Sequence, residues 1–233
     1  MRIVIAGAGA VGRSIARELL SHGHDVTLMD SQADKMQVAS VADADWILAD
    51  ACSPDALAQA DVDVCDVMVA ATGDDKANLV ISLLAKTEFA VPRTVARVNN
   101  PKNEWMFNDQ WGVDVSVSTP RVITALVEDA VAIGTPVHLF TFPKSGASMY
   151  SITISGQSDV LGRRLADLEI PHSAVVAALI RDTRPLAPLP ELSLEEDDKL
   201  LFLFRSTGED DLKEVTGLFS NDAELPYDPA QED

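Results

Sequence analysis

Cysteine, histidine, tyrosine and positive charge are all scarce in this 233-residue chain. The two cysteines, Cys52 and Cys65, stand 13 positions apart with no CxxC spacing, so neither a disulfide scaffold nor a redox motif is indicated. The four histidines show no metal-ligand spacing. Lysine and arginine total 18 against 37 aspartates and glutamates, a formal charge of −19. Such a surface repels phosphate backbones and anionic lipid, which argues against a nucleic-acid binder and against direct adsorption to a membrane. No apolar run approaches the ~20 residues of a membrane span. The opening MRIVIAG turns into glycines rather than a secretory signal. The expectation is a cytoplasmic protein with reduced cysteines. Hydrophobic residues make up 47% and charged residues 24%, the balance of a folded chain long enough for one large or two modest domains.

The first thirty residues carry a specific pattern. A β-branched run over Arg2–Ala6 leads into Gly7-Ala8-Gly9-Ala10-Val11-Gly12. Val11, Ile15 and Leu19 then recur at helical spacing, and a second apolar run, Val26–Met29, ends at Asp30. This strand–GxGxxG–helix–strand–acid order is that of a dinucleotide fold. Gly7 permits the tight turn, Gly9 lets a pyrophosphate approach the backbone, and Gly12 lets the helix lie close on the strand. The helix N-terminus offers N–H groups and a positive dipole end to phosphate. Asp30, 18 residues after Gly12, is placed to bind ribose hydroxyls and to repel a 2′-phosphate. Ser31 and Gln32 follow with no arginine to receive one, so NAD is favoured over NADP. At an exposed rim, Asp30→Ala is expected to weaken NAD(H) binding with little loss of fold.

The alternation continues. Strands are predicted at Trp46–Asp50, Asp66–Ala71, Arg93–Val98 and Val113–Val117, with helices between them; Ser53-Pro54 starts one and Asp74-Asp75 another. The fold class is therefore α/β, a Rossmann-like doubly wound parallel sheet ordered 3-2-1-4-5-6, followed by a second, smaller α+β domain. Ligands of such sheets lie beyond the strand C-termini at the switch point. Gly7, Ala8, Gly9, Ala10, Val11, Gly12, Asp30, Asp50, Ala51, Thr72, Gly73 and Arg97 all fall on that rim, and they are the candidate cofactor-binding residues. Two of them have two readings each. Asp50 is a ligand contact or a cap of the helix at Ser53; Arg97 is a phosphate contact or the partner of a carboxylate.

Catalytic groups are not evident. Neither tyrosine has a lysine four residues on, His22 and His24 fall in the turn opposite the rim, and no nucleophile elbow is present. The candidate catalytic and metal sets are empty, and the chain reads as a sensor rather than an enzyme. Thr119-Pro120 starts a further helix with a wide apolar face, which either packs on its own sheet or meets a partner subunit. A connector (134–146, with Pro143 and Gly146 among its breakers) precedes the α+β domain at 147–207. That domain is read as a strand at Met149–Ile154, a short helix at Asp159–Leu168, a strand at Ala174–Ile180, a proline-bounded excursion at Arg184–Pro190 and a strand at Lys199–Phe204. An acidic helix (Glu209–Phe219) and a disordered tail (Asn221–Asp233) complete it.

Residues 1–133 resemble the regulatory RCK (KTN) domain of the TrkA type, and 147–206 resemble its companion C-terminal domain. The stretches that carry the resemblance are GAGAVGRSIARELL (7–20), VAATGDDKANLVISLLAK (69–86), ARVNNP…GVDVSVSTP (96–120), LGRRLADLEIP (161–171), AVVAALIRD (174–182) and EEDDKLLFLF (195–204). The resemblance implies a cytoplasmic regulatory subunit, peripheral at the inner membrane face, that binds NAD(H) or ATP/ADP. It implies assembly as dimers and rings beneath a membrane K+-translocating subunit. Gly7–Val11, Asp30, Thr72–Gly73 and Arg97 would then be nucleotide contacts. Ala10 stands where some ATP-gated relatives carry arginine. Two other readings remain open: a nucleotide sensor of another cation transporter, and a small NAD-dependent oxidoreductase.

Overall fold

The computed structural model describes residues 1–142, 145–205 and 209–219. Two compact units divide the chain, Met1–Arg121 and Val122–Asp233. In the first, six parallel strands are β1 (Arg2–Ala6), β2 (Asp25–Asp30), β3 (Asp45–Leu48), β4 (Val67–Ala70), β5 (Arg93–Val98) and β6 (Val115–Ser118). Their order, β3-β2-β1-β4-β5-β6, is the doubly wound one. The reversal falls between β1 and β4.

Both faces of this sheet are covered, and the period of two along β1 shows it. Ile3 and Ile5 join a cluster with Leu28 and Ala16, under the helix α1 (Ala10–Ser21). Val4 and Ala6 join the opposite cluster with Leu57, Leu79, Ile81 and Ala85, from the helices α2 (Pro54–Gln59) and α3 (Asp75–Thr87). Burial of this kind stabilises by roughly 25 cal/mol per Å² of apolar surface removed from water. α2 begins with Pro54 at its first position after Ser53, as the sequence predicts, but the Ser53 hydroxyl makes no capping bond. β3 ends at Leu48, two residues before the predicted end at Asp50. Asp50 Oδ1 accepts the Cys52 N–H at 2.9 Å, which turns the chain out of the sheet.

The second unit holds an antiparallel sheet ordered β10-β9-β11-β8-β7. Its strands are β7 (Val137–Thr141), β8 (Ser148–Thr153), β9 (Ala174–Arg181), β10 (Arg184–Leu186) and β11 (Lys199–Phe204). Inward residues of β8 and β11 (Tyr150, Ile152, Leu200, Phe202 and Phe204) form its core with Val215 and Phe219 of the helix α5 (Glu209–Phe219). Helix α4 (Thr119–Val131) belongs to this unit from Val122 on, and its Asp129 accepts from Ser151 and pairs with Lys199 at 2.8 Å.

Three sequence expectations fail in this unit, each for a physical reason. Residues 134–146 were expected to be a connector, yet they include β7, which pairs with β8 from Val137↔Ser151 to Thr141↔Ser148. The expected helix at Asp159–Leu168 is absent apart from a 3-10 turn at Leu165–Asp167. Gly162 sits at φ +74°, and its N–H donates to Leu194 O at 2.8 Å, while Leu165 N–H donates to Leu192 O at 2.9 Å. Those backbone groups bond across the domain instead of along a helix. The excursion at Arg184–Pro190 begins as β10, paired with β9 through a two-residue turn. Asp182 and Thr183 in that turn both have positive φ, 47° and 73°, which fits a type I′ hairpin. Pro143, the domain limit at 207 and the tail from Asn221 lie outside the described residues.

Candidate functional site

The C-terminal ends of β1, β2, β3, β4 and β5 surround a cleft of about 600 Å³. Gly7, Gly9, Ala10, Val11, Asp30, Asp50, Ala51, Thr72, Gly73 and Arg97 line it, ten of the twelve predicted positions. Ala8 and Gly12 do not. Ala8 is fully buried behind the loop, and Gly12 sits where the helix meets the strand.

The glycines have separate duties. Gly7 has φ +106°, and a Cβ there would lie 2.8 Å from the Ala71 carbonyl and the Thr72 nitrogen. The loop therefore lies flat against the end of β4. At Gly12 a Cβ would lie 1.8 Å from Gly7 O, so only glycine lets α1 approach the loop this closely. Gly9 is different: nothing lies within 4 Å of its would-be Cβ. It caps α1 without a side-chain bond and leaves the approach to the helix N-terminus open.

Asp30 binds the loop as well as facing the cleft. Its Oδ2 accepts the Ala8 N–H at 2.8 Å and its Oδ1 accepts the Gln32 N–H at 2.9 Å. Each oxygen keeps a lone pair for a ligand hydroxyl. The Ala8 carbonyl in turn accepts from Arg13 Nη1 at 2.5 Å.

Across the cleft, Arg97 makes no ion pair among the described residues, and its buried Nε has no hydrogen-bond partner. The reading of Arg97 as a carboxylate partner therefore fails. Asp50 spends one oxygen on the turn before α2 and lines the cleft too. Asp74 caps α3, its Oδ1 accepting from Lys76 N–H at 2.8 Å.

Several lining residues were not foreseen. Lys35, in a 3-10 turn at Ala33–Lys35, brings a cation to the cleft wall, where the sequence reading considered only arginine. Cys52 also lines the wall; burial and the neighbouring Asp50 and Asp74 charges push its thiol pKa up. Asp74 was within reach of the sequence, since it adjoins Thr72-Gly73. Lys35 was not, because nothing local says which way a short turn faces. These groups fit an adenine nucleotide: an acid for ribose, an open helix N-terminus for phosphate, and a guanidinium with unspent donors. Among the described residues no group of His, Cys, Asp or Glu is arranged to hold a metal ion, and no helix is long and apolar enough to cross a membrane.

A parallel sheet with this rim, joined to a small antiparallel domain, defines the class. The TrkA-N domain matches residues 3–119 and the TrkA-C domain residues 149–217, and the chain belongs to this TrkA family. A Trk system potassium uptake protein TrkA of Mycobacterium tuberculosis is 46% identical over 92% of this chain and 98% of its own length. A TrkA homolog of Methanothermobacter thermautotrophicus is 31% identical over 94% of this chain and 100% of its own. Among solved structures, the GsuK channel bound to NAD superposes with a TM-score of 0.66 at 16% identity. This chain covers 40% of that longer one, and 97% of this chain is matched. That likeness concerns the fold.

Proposed function

We propose that this chain is a non-enzymatic, nucleotide-binding regulatory subunit of a Trk-type potassium uptake system. It binds NAD(H), or ATP/ADP at the same cleft, and its occupancy gates a membrane K+-translocating subunit. The observation that carries this reading is Arg97. A buried guanidinium nitrogen without a partner is costly, and a phosphate oxygen is the group that would satisfy it. The opposite wall, from Gly9 to Asp30, supplies the complementary contacts for pyrophosphate and ribose.

A sensing role is supported by the lining itself, in which no histidine or tyrosine occurs among the described residues. The relatives named TrkA support the potassium system as its setting. Assembly as a homo-oligomer is supported by α4, where Ile123, Leu126, Val127 and Val131 are exposed and Ala125 is buried. Placement at the inner face of the membrane would follow from the partner. In energetic terms, a nucleotide shifts the gate only by its difference in affinity between the two ring states.

The test is calorimetric titration of the purified chain with NADH, NAD, ATP and ADP. At least one is expected to bind, and Arg97→Ala is expected to weaken it about tenfold or more. Indifference to all four would overturn the nucleotide reading. Deleting the gene is expected to impair growth at low potassium, and normal uptake in the deletion strain would overturn the assignment to potassium transport.

A further inference from the structure

We infer that Asn78 is a positioning residue for this cleft: its buried carboxamide joins the end of β4 to the end of β5 and so holds Thr72 and Arg97 at the rim. The inference rests on the nucleotide reading of the cleft. Asn78 lies one turn into α3, is fully buried, and does not itself line the cleft.

The ladder between β4 and β5 runs from Val67↔Arg93 to Ala70↔Ala96 and stops there. Beyond that point no strand pairing ties Thr72 to Arg97, and Asn78 spans the gap. Its Oδ1 accepts from Thr72 N–H at 3.0 Å and from the Thr72 hydroxyl at 2.6 Å. Its Nδ2 donates to Arg97 O at 2.8 Å and to Thr72 O at 3.3 Å. Two donors and two acceptor sites are thus all used, the full capacity of the side chain.

Arg97 is held by β6 on one side, opposite Val117, but its β4 side has no strand partner. With no ion pair on its guanidinium, its position depends on the backbone that carries it, and on the β4 side Asn78 holds the carbonyl of that residue. Thr72 has a second hold in Asn99, whose Nδ2 donates to Thr72 O at 3.1 Å and to Asp75 Oδ1 at 2.9 Å. Its neighbours on α3, Leu79 and Ile81, are buried and apolar. An amide at this position costs desolvation that only its four bonds offset.

The experiment is a double-mutant cycle on the full chain, with ADP affinity read by calorimetry and adenosine affinity by competition. Asn78→Ala is expected to weaken ADP about tenfold and adenosine less than about twofold, because adenosine lacks the phosphates that Arg97 would meet. Added to Arg97→Ala, it is expected to cost clearly less ADP affinity than in the wild-type chain, since one of the two groups it positions is already gone and only Thr72 is left to shift. Equal losses for ADP and adenosine, additive losses in the double variant, or unchanged ADP affinity would each overturn the inference. Should Asn78→Ala fail to fold by circular dichroism, Asn78→Ser carries the same comparison, being neutral and polar but too short to reach both strand ends. A wild-type chain that binds no nucleotide overturns the reading of the cleft itself. Binding that is sensitive to Arg97→Ala but not to Asn78 substitution overturns this inference alone.

Discussion

Asp30 Oδ2 accepts the backbone N–H of Ala8 at 2.8 Å, so the acid that ends β2 also holds the loop that opens α1. From sequence it reads as a ribose contact on an exposed rim; in the fold it is half-buried and carries a structural bond as well. Asp30→Ala is therefore expected to weaken NAD(H) about tenfold or more and also to cost about 1–2 kcal/mol of stability. Calorimetry and urea unfolding measure the two effects separately. Unchanged affinity would remove the ribose role, and unchanged stability would remove the loop-holding one.

Alanine at Gly9 and alanine at Gly12 of the glycine loop are expected to have opposite outcomes. At Gly9, with φ −65° and open space beyond, alanine is expected to leave the melting temperature nearly unchanged while lowering nucleotide affinity. At Gly12 a methyl group would collide with Gly7 O, and Gly12→Ala is expected to destabilise by about 3 kcal/mol or more. Thermal melting of the two ligand-free variants distinguishes them, and equal melting temperatures would refute the assignment of separate duties.

Acid stability follows from three carboxylates. Burial pushes Asp75 up, but hydrogen bonds from Asn99, Asn103 and Asn100 outweigh it and leave its pKa below the ordinary value. Burial likewise opposes Asp114 and Asp129, and Lys86 with Thr94, and Lys199 with Ser151, more than offset it. A pKa lowered in the folded state means stability that is present above the unfolded value of about 4 and is lost as pH falls through the folded value. Urea unfolding is expected to show constant stability from this source at neutral pH and a decline below about pH 4. Asp75→Asn and Asp129→Asn are expected to lower stability at pH 7 and to flatten that decline. A variant whose acid limb matches the wild type would refute its residue's share.

Thiol chemistry gives a probe of the cleft. Burial, reinforced by Asp66, pushes the Cys65 thiol up to about 11, and it is buried under the first sheet. Cys52 is half-buried on the cleft wall, its pKa also raised. Slow alkylation at Cys52 is expected above pH 8, with Cys65 inert in the native chain. Saturating NAD or ADP is expected to slow the Cys52 reaction, as read by peptide mass mapping. Labelling of Cys52 indifferent to every nucleotide would count against their docking there.

Most of the first sheet was legible because its signals are local. β5 occurs at the predicted Arg93–Val98, and the other five strands lie within a few residues of their predicted ends. Buried parallel strands show as apolar runs, and glycine shows as a turn. The second sheet was less legible where bonding is not local. Nothing in LGRRLADL signals that Gly162 and Leu165 donate to Leu194 and Leu192, some thirty residues on. The Asp182-Thr183 turn lacks the Asn-Gly pair that usually marks a two-residue hairpin.

The sequence by itself determined the strand–glycine–helix–acid order and, among the cleft-lining positions, Gly7, Gly9, Ala10, Val11, Asp30, Thr72 and Arg97. Those choices are set by nearest-neighbour sterics and by hydrophobic period, which any short window contains. Tertiary structure alone decided that Lys35 and Cys52 join the wall, that Asp30 holds Ala8, and that Asn78 bridges Thr72 to Arg97. Such meetings depend on where separate strands end relative to one another, and that is a property of the assembled sheet rather than of any one segment.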